Sequence, residues 1–172
     1  MDYVTRLRQQ WAERAPELDT SVADVVARIS RIAAIVGRLH DEGLAARGLT
    51  RPEFELLTAL RRAGRPMRAR EVGTVTESPG ATLTKRLDHL HAAGLVSREV
   101  PDRDRRGVLV GLTEQGRALV DQVFPEQLAR ERLAVARLSG DERAVLAGLL
   151  GTVLETLEPL PAASGKLPAA RP

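Results

Sequence analysis

The stretch from Leu87 to Val120 reads LDHLHAAGLVSREVPDRDRRGVLVGLTEQGRALV, and its pattern decides the fold. Leucines three and four residues apart precede Gly94, which predicts an amphipathic helix that ends there. Two short β-prone runs follow, Leu95–Val100 and Val108–Leu112, separated by the charged, turn-rich segment PDRDRRG. Thr113 then has the features of an N-cap for a further helix. The stretch therefore predicts a helix, a two-strand hairpin with a long tip, and a second helix.

The chain before this stretch is predicted to be mainly helical. Gly43 and Gly48 indicate a connection between two helices, and Thr50 with Glu53 three residues later has the pattern of a capping box. Pro125 is expected to kink or interrupt the helix that begins after the hairpin. Apolar residues at helical spacing predict helices at residues 1–14, 22–39, 50–63, 67–77 and 78–94, and a last helix at 139–157 capped by Ser139 or Asp141.

Three helices, a two-strand hairpin and a further helix follow one another in the order of a winged helix-turn-helix. Such a module presents its third helix to the major groove of DNA and places the hairpin, or wing, beside it. The predicted fold class is therefore mainly α with a small β-wing, a winged helix-turn-helix with a helical dimerisation region. The predicted domains are an N-terminal extra helix at 1–16, a helical dimerisation region at 21–48 and 114–158, a winged helix-turn-helix DNA-binding lobe at 50–113, and a disordered tail at 159–172.

Positive charge is concentrated in the middle of the chain. Residues 61–106 carry 11 Lys and Arg against 6 Asp and Glu, although the net charge of the whole chain is only +3. A local basic excess between more acidic segments favours contact with nucleic acid. Aromatic residues make up only 2%, which argues against single-strand binding by base stacking. Double-stranded DNA is therefore the expected partner.

Composition and motifs exclude several classes of function. The 172 residues include no cysteine, so disulfides and cysteine nucleophiles are excluded. Phosphate-binding glycine loops, GxSxG and HExxH are missing from the sequence, so neither an enzyme nor a cofactor is expected. His89 and His91 lie two residues apart on a helix and do not share a face, which disfavours a metal site. No apolar run would span a bilayer and no secretory signal is seen, so a cytoplasmic protein without a membrane partner is expected.

The predicted third helix offers polar residues opposite its leucine stripe. Small polar residues beside one long cation can reach base edges and phosphates. An arginine on a narrow projection suits the minor groove, where the negative potential is enhanced. The opposite face holds Ser78, Ala81, Lys85 and Asp88, with Thr82, Thr84 and His89 on its flanks, and the wing tip adds Arg103, Arg105 and Arg106.

The quoted stretch resembles the MarR family of bacterial transcription regulators. The resemblance rests on the leucine-spaced recognition helix, the AAGLV turn, the DRR of the wing and the LTEQGRAL entry to the next helix, and it extends over about residues 22–157. It implies a homodimer held by the long first helix and the last two helices. It also implies that Asp104 and Arg106 brace the wing by ion pairing, and that a wing arginine enters the minor groove. The base and phosphate contacts of the recognition helix are implied for Ser78, Thr82, Thr84 and Lys85.

A narrower resemblance is to the urate-responsive branch of that family. It rests on the extra N-terminal helix with Trp11, the segment GLTRPEFELLTALRRAG, and TKRLDHL followed by Arg98. In that branch a tryptophan, an acidic residue and two arginines form a ligand site beneath the DNA-binding lobe. The resemblance implies a small anionic ligand, such as urate or a related purine, bound by Trp11, Glu55, Arg86 and Arg98. Glu55 stands where the branch usually has aspartate.

The charges of these four residues predict how such a site works. Two arginines in a part-buried cleft need a carboxylate or an anion to offset their desolvation. Glu55 is expected to pair with Arg86 and Arg98 in the empty state. A planar anion that stacks on Trp11 is expected to compete for the same guanidinium donors. Release of that pairing would let the recognition helix shift.

The expected function is that of a ligand-responsive DNA-binding regulator that binds a pseudo-palindromic operator as a homodimer and is released by a small anionic effector. Repression is the commoner outcome in such families. The alternative is a winged-helix dimer that binds DNA constitutively, and a purely helical interaction protein is disfavoured by the wing. Two of the proposed ligand residues have an alternative interpretation. Trp11 would only anchor the extra helix, and Arg98 would contact a DNA phosphate. Saturable release of DNA by an effector separates the regulator from the constitutive binder.

Overall fold

A computed structural model describes residues 1–78, 80–99 and 107–159 of the chain. Within this part the fold is mainly helical with a small antiparallel sheet, so the predicted class is confirmed. The predicted wing tip at 103–106 and nearly all of the predicted tail at 159–172 lie outside the described residues. The elements are α1 (Tyr3–Arg14), α2 (Ala23–Ala45), α3 (Arg51–Ala63), β1 (Met67–Arg68), α4 (Ala69–Val75), α5 (Gly80–Ala92), β2 (Val96–Glu99), β3 (Leu109–Leu112), α6 (Glu114–Ala134) and α7 (Gly140–Leu157).

The chain divides into two compact units, one at Met1–Arg132 and the other beginning at Leu133. The first unit contains α1 to α5, the sheet and nearly all of α6, and its core is built around the leucines of α3 and α5. α7 belongs to the second unit and has no buried residue. No helix within residues 1–78, 80–99 and 107–159 is both long enough and apolar enough to cross a membrane.

Local sequence signals set the starts of two helices. The Thr50 Oγ1 accepts a hydrogen bond from the Glu53 backbone N–H, and the Glu53 carboxylate accepts one from the Thr50 backbone N–H. This reciprocal pair completes the predicted capping box. Ser139 forms the same box with Glu142, so of the two predicted caps of the last helix it is Ser139, not Asp141, that acts.

α2 extends further than the sequence predicts. The expectation of a connection at Gly43 is wrong, because Gly43 lies inside α2, which continues to Ala45. The guanidinium of Arg130 in α6 packs against this position, where an added Cβ would lie 2.7 Å from the Arg130 Cζ. The glycine therefore allows the Arg130 side chain to approach α2 closely rather than forming a turn. Gly48 does lie in the connection, with a φ of +68° that favours glycine.

The predicted helix at 67–77 is shorter, and the predicted two-strand hairpin gains a third strand. Met67 pairs with Val110 of β3, so the sheet has the strand order β1-β3-β2. Met67 is buried, and its burial together with the ladder hydrogen bonds outweighs its local helical propensity. β2 and β3 pair antiparallel as predicted, and β1 ties this hairpin to the body of the first unit.

Pro125 does not interrupt α6, so the expectation of an interruption there is wrong, while that of a kink stays a prediction. The helix continues from Glu114 to Ala134. Val120, Val123 and Gln127 are buried on both sides of the proline. Packing of this face therefore offsets the backbone hydrogen bond that proline removes.

Candidate nucleic-acid interface

α5 presents a polar surface opposite a buried leucine stripe, as predicted for a recognition helix. The stripe anchors α5 because its three leucines are at most 5% exposed. Lys85 is exposed and makes no ion pair with any residue of the described part of the chain. Its ammonium group is therefore available to a phosphate. The leucines are Leu83, Leu87 and Leu90, and the exposed polar residues include Thr82, Thr84 and Lys85.

Ser78, which the sequence predicts as a DNA contact, bonds within the protein. Arg86 Nη1 donates to Ser78 Oγ at 3.1 Å, and Ser78 Oγ donates to the carbonyl oxygen of Thr76 at 3.3 Å. The Ser78 backbone N–H donates to the carbonyl oxygen of Gly73 at 2.9 Å. Ser78 therefore ties the segment after α4 to the recognition helix.

Asp88 and Arg98 form an ion pair that joins α5 to β2 of the wing. Arg98 Nη2 also donates to the carbonyl oxygen of Thr84 at 3.4 Å. The Arg98 Nε is buried and has no hydrogen-bond partner among the described residues. This side chain also borders a small cavity of about 120 Å³ that Leu83 and Val110 help to line.

Glu53 connects α3 to α5 and is almost fully buried, at 6% exposure. Its Oε1 lies 2.7 Å from the Nδ1 of His89, while its Oε2 accepts hydrogen bonds from the backbone N–H and the hydroxyl of Thr50 at 2.8 and 2.7 Å. Burial alone would raise the pKa of the Glu53 carboxyl, but the hydrogen bonds from Thr50 and His89 outweigh it and lower that pKa below its ordinary value. The carboxylate is therefore charged at neutral pH.

Several basic residues of the middle segment are neutralised inside the protein. Arg61 donates to Asp121 of α6 through Nε at 2.8 Å and through Nη2 at 3.1 Å. Arg65 pairs with Glu71. Hydrogen bonds from these arginines lower the pKa of both carboxyls below the ordinary value. Part of the basic excess that the sequence shows is thus used to join elements of the first unit rather than to attract DNA.

A cleft of about 740 Å³ lies between α3, the end of α4 and α6. Its lining combines charged and apolar side chains, which is typical of sites for small ligands. The Arg61–Asp121 ion pair lies in this lining, so a competing anion could reach the guanidinium. The lining residues that matter here are Glu55, Arg61 and Arg62 of α3, and Val120, Asp121 and Phe124 of α6.

The expected pairing of Glu55 with Arg86 and Arg98 is wrong. Glu55 lines the larger cleft and lies 4.0 Å from the Nε of Arg51, one turn away on α3. Arg86 and Arg98 bond to the partners described above. Glu53 is the α3 carboxylate that reaches α5, because residues two apart on a helix point to different sides.

Trp11 lies on α1, which α2 holds through charged side chains. Arg28 donates to Asp2 at 3.0 Å and to the hydroxyl of Thr5 at 2.9 Å, and Val4 is buried. Trp11 itself is 48% exposed. Its ring therefore contributes little to the core of the first unit, and its role in ligand binding stays a prediction.

Sequence reasoning missed two of these contacts. Asp88 and His89 were assigned to the surface that faces DNA, but their side chains bond to Arg98 and Glu53. The capping-box pattern identified only the bond between Glu53 and Thr50. The second carboxylate oxygen of a buried capping glutamate needs a donor of its own, and that requirement is the signal that could have identified a partner for Glu53. The predicted wing residues Arg103, Asp104, Arg105 and Arg106 lie outside the described residues.

These elements define the class of the protein. A recognition helix beside a paired hairpin, preceded by α3 and α4, is a winged helix-turn-helix. The model of the MarR family matches residues 47–107, which cover α3 to β2.

Known proteins show the same relationship over most of the chain. The sequence is 34% identical over 152 residues to the HTH-type transcriptional regulator PecS of Dickeya dadantii, which covers 87% of this chain and 92% of PecS. It is 36% identical over 121 residues to the multiple antibiotic resistance protein MarR of Salmonella typhimurium, and the match covers 68% of this chain and 81% of that protein. The crystal structure of a mutant MarR from E. coli complexed with operator DNA matches with a TM-score of 0.64 and 28% identity, covering 84% of this chain and 97% of that one. The chain belongs to the MarR family of winged-helix transcription regulators.

Proposed function

We propose that this protein is a ligand-responsive regulator that binds a pseudo-palindromic operator as a homodimer, represses transcription in the cytoplasm, and is released from DNA by a small anionic effector. One observation carries the DNA-binding part: α5 exposes Thr82, Thr84 and Lys85, while its leucines are buried and its flanks are tied to the body. A rigidly held helix with short polar side chains and a free cation is suited to reading a major groove.

Each predicted DNA contact has a distinct part in this proposal. Lys85 contacts a phosphate, and Thr82 and Thr84 contact base edges. Ser78 acts indirectly by holding Arg86 and the start of the recognition helix. The wing residues Arg103, Asp104, Arg105 and Arg106 supply the minor-groove contact and its bracing.

The homodimer is supported by apolar surface that the single chain leaves exposed. Val25, Val26 and Ile32 of α2 are each more than half exposed. α7 is an 18-residue helix without a buried residue. So many exposed apolar side chains on each of these helices are typical of a protein–protein interface. The exposed apolar residues of α7 are Val145, Leu146, Leu149, Leu150, Leu154 and Leu157.

The effector site that the geometry supports best is the cleft of about 740 Å³. Arg61 and Arg62 offer cationic groups, and Phe124 offers an apolar face for a planar ring. Glu55 also lines this cleft, so it stays a candidate for ligand binding here, with Arg61 and Arg62 in place of Arg86 and Arg98. An anion bound to Arg61 competes with Asp121, so it loosens the link between α3 and α6.

Arg98 is the second candidate for effector binding. Its buried Nε–H has no partner among the described residues, and a carboxylate or other acceptor in the adjoining cavity would satisfy it. Ligand entry there would compete with Asp88 for the same guanidinium. In this arrangement Arg86 and Trp11 contribute only if the helices that carry them move toward the ligand.

The test is release of operator DNA by urate, other purine catabolites and aromatic acids, measured by fluorescence anisotropy. A coupling free energy of about 1–3 kcal/mol corresponds to a 5–150-fold loss of DNA affinity. Arg62→Ala should raise the concentration for half-release about tenfold if the larger cleft is the site, and Arg98→Ala should do so if the small cavity is. Arg14→Ala, on α1, is the control. A wild-type protein that binds its operator and is released by none of these anions would establish the constitutive alternative.

A further inference from the structure

We propose that Glu53 is a positioning residue for DNA recognition: through His89 it fixes the rotation of α5 about its axis. Loss of this pair should therefore weaken binding to a specific DNA sequence more than it destabilises the fold. The proposal rests on the DNA-binding function proposed above. It assigns to Glu53 and His89 the role of orienting the recognition helix, which neither the basic residues nor the leucine stripe of α5 can fill.

The Glu53 carboxylate is a fixed point because both of its oxygens are bound. Oε2 receives the backbone N–H and the hydroxyl of Thr50, which holds the carboxylate at the start of α3. Oε1 is left for His89 Nδ1, at 2.7 Å. α3 is itself anchored by the buried side chains Phe54, Leu56, Leu57, Ala59 and Leu60. His89 is therefore tied to one of the most deeply buried helices of the first unit.

The leucine stripe alone does not fix how α5 is turned about its axis. Apolar contacts lack direction, so a stripe of Leu83, Leu87 and Leu90 tolerates small rotations. With 3.6 residues per turn, Asp88 and His89 lie on opposite flanks of that stripe. Contacts on opposite flanks resist rotation in both directions, and such a rotation would move every outward side chain relative to the base edges.

The two flanking contacts differ in what they hold. Asp88 bonds to Arg98, which belongs to the wing. His89 bonds to Glu53, which belongs to the core. Movement of the wing can carry Arg98 with it, whereas α3 stays in place. Glu53 therefore sets the orientation of the recognition helix relative to the body of the lobe.

The position of His89 separates a positioning role from a stabilising one. The His89 side chain is 54% exposed, whereas that of Glu53 is 8% exposed. Truncation of a half-exposed side chain removes little packing, so the fold should survive it. Loss of the contact should instead lower affinity for a selected sequence, while binding to random duplex, which depends on phosphate contacts, should stay the same.

The experiment compares His89→Ala, His89→Asn, Glu53→Gln and the double variant Glu53→Gln/His89→Ala in the full-length protein. Binding is measured to a duplex that the wild-type protein selects from a random library. It is compared with binding to an unselected duplex of equal length at the same salt concentration. His89→Ala should weaken selected-site binding at least about tenfold, on the scale of a lost base contact, and leave unselected binding nearly unchanged. Because the removed ring is half exposed, water can replace it at Glu53 Oε1, so the melting temperature should fall only slightly. His89→Asn, whose amide N–H can donate from the same place, should restore most of the loss.

Two comparisons make the result specific to the pair. The double variant should bind no more weakly than His89→Ala alone, since without the imidazole the change at Glu53 has no contact with α5 left to alter. His91 lies two residues after His89 on α5, and its Nδ1 bonds to the carbonyl oxygen of Val96. His91→Ala removes that bond and should bind the selected duplex like wild type. An equal loss in His91→Ala, or full specificity in His89→Ala, would overturn the proposal. A wild-type protein that selects no sequence at all would instead refute the proposed function.

Discussion

Replacing Gly116 by alanine tests how the wing is joined to α6. A Cβ at this position would lie 2.0 Å from the carbonyl oxygen of Leu95 and 3.2 Å from the Cδ2 of Leu112. The Leu95 oxygen cannot move freely, because it accepts a hydrogen bond from the backbone N–H of Thr113 at 3.2 Å. The added methyl group must therefore displace the backbone at the junction of the recognition helix, the wing and α6.

Two opposing effects decide the sign of this change. Alanine favours a helix over glycine by about 1 kcal/mol, so propensity alone predicts a more stable protein. Overpacking against a backbone atom costs about 1–3 kcal/mol or more, and loss of the Leu95 hydrogen bond adds about 1 kcal/mol. We expect a net loss of about 1–3 kcal/mol in the free energy of unfolding. For a protein of this size the melting temperature should fall by roughly 2–12 °C.

The assay is thermal unfolding followed by circular dichroism, with wild type and variant at the same protomer concentration because association would stabilise both. Gly140→Ala is the matched control, since nothing lies within 4 Å of a Cβ at Gly140. The control should leave stability unchanged or raise it by up to about 1 kcal/mol. A Gly116→Ala protein as stable as wild type would show that the close approach at Leu95 does not exist in solution.

Other side chains test the hold on α1, the DNA contacts and the dimer interface. The pKa of Asp2 falls from 3.8 to about 2 in the folded chain, through the Thr5 backbone N–H first and Arg28 second. The charged Asp2 carboxylate therefore stabilises the position of α1 fully at pH values above 3.8, and this stabilisation is lost as the pH falls toward 2. Trp11 fluorescence should report a transition in that pH range, and Asp2→Asn should lack it. Lys85→Ala and Arg106→Ala should each lower the salt slope of DNA binding by about 0.9, and an unchanged slope would remove either residue from the phosphate contacts. Leu149→Glu should convert a dimer to monomers in analytical ultracentrifugation, and a dimer that persists would place the interface away from α7.

Much of the fold can be predicted because its signals are local. The capping box at Thr50 and the leucine spacing of α5 each depend on residues within one or two turns, and both are confirmed. Gly43, Met67 and Pro125 were misjudged for one shared reason. Their local propensities are overridden by distant partners: Arg130 against Gly43, Val110 paired with Met67, and the buried face of α6 around Pro125.

The candidate site is less predictable than the fold. Residue type and helical face placed Thr82, Thr84 and Lys85 on the surface correctly. The predicted pairing of Glu55 with Arg86 and Arg98 is wrong, because α3 presents Glu53 to the recognition helix and Glu55 to the cleft. Only the packing of α3 determines which of these two carboxylates faces which way. The Arg61–Asp121 pair joins residues 60 positions apart in sequence, so no local pattern could reveal it.

The most direct test of the account is hydroxyl-radical footprinting on a selected duplex, combined with measurement of the mass of the complex, with and without the effector. A homodimeric regulator should protect two half-sites related by a pseudo-dyad, with centres about one DNA turn (~34 Å) apart. Two protomers should be bound, and both half-sites should be lost together as effector is added. A single half-site occupied by one protomer, or protection without sequence preference, would contradict the account.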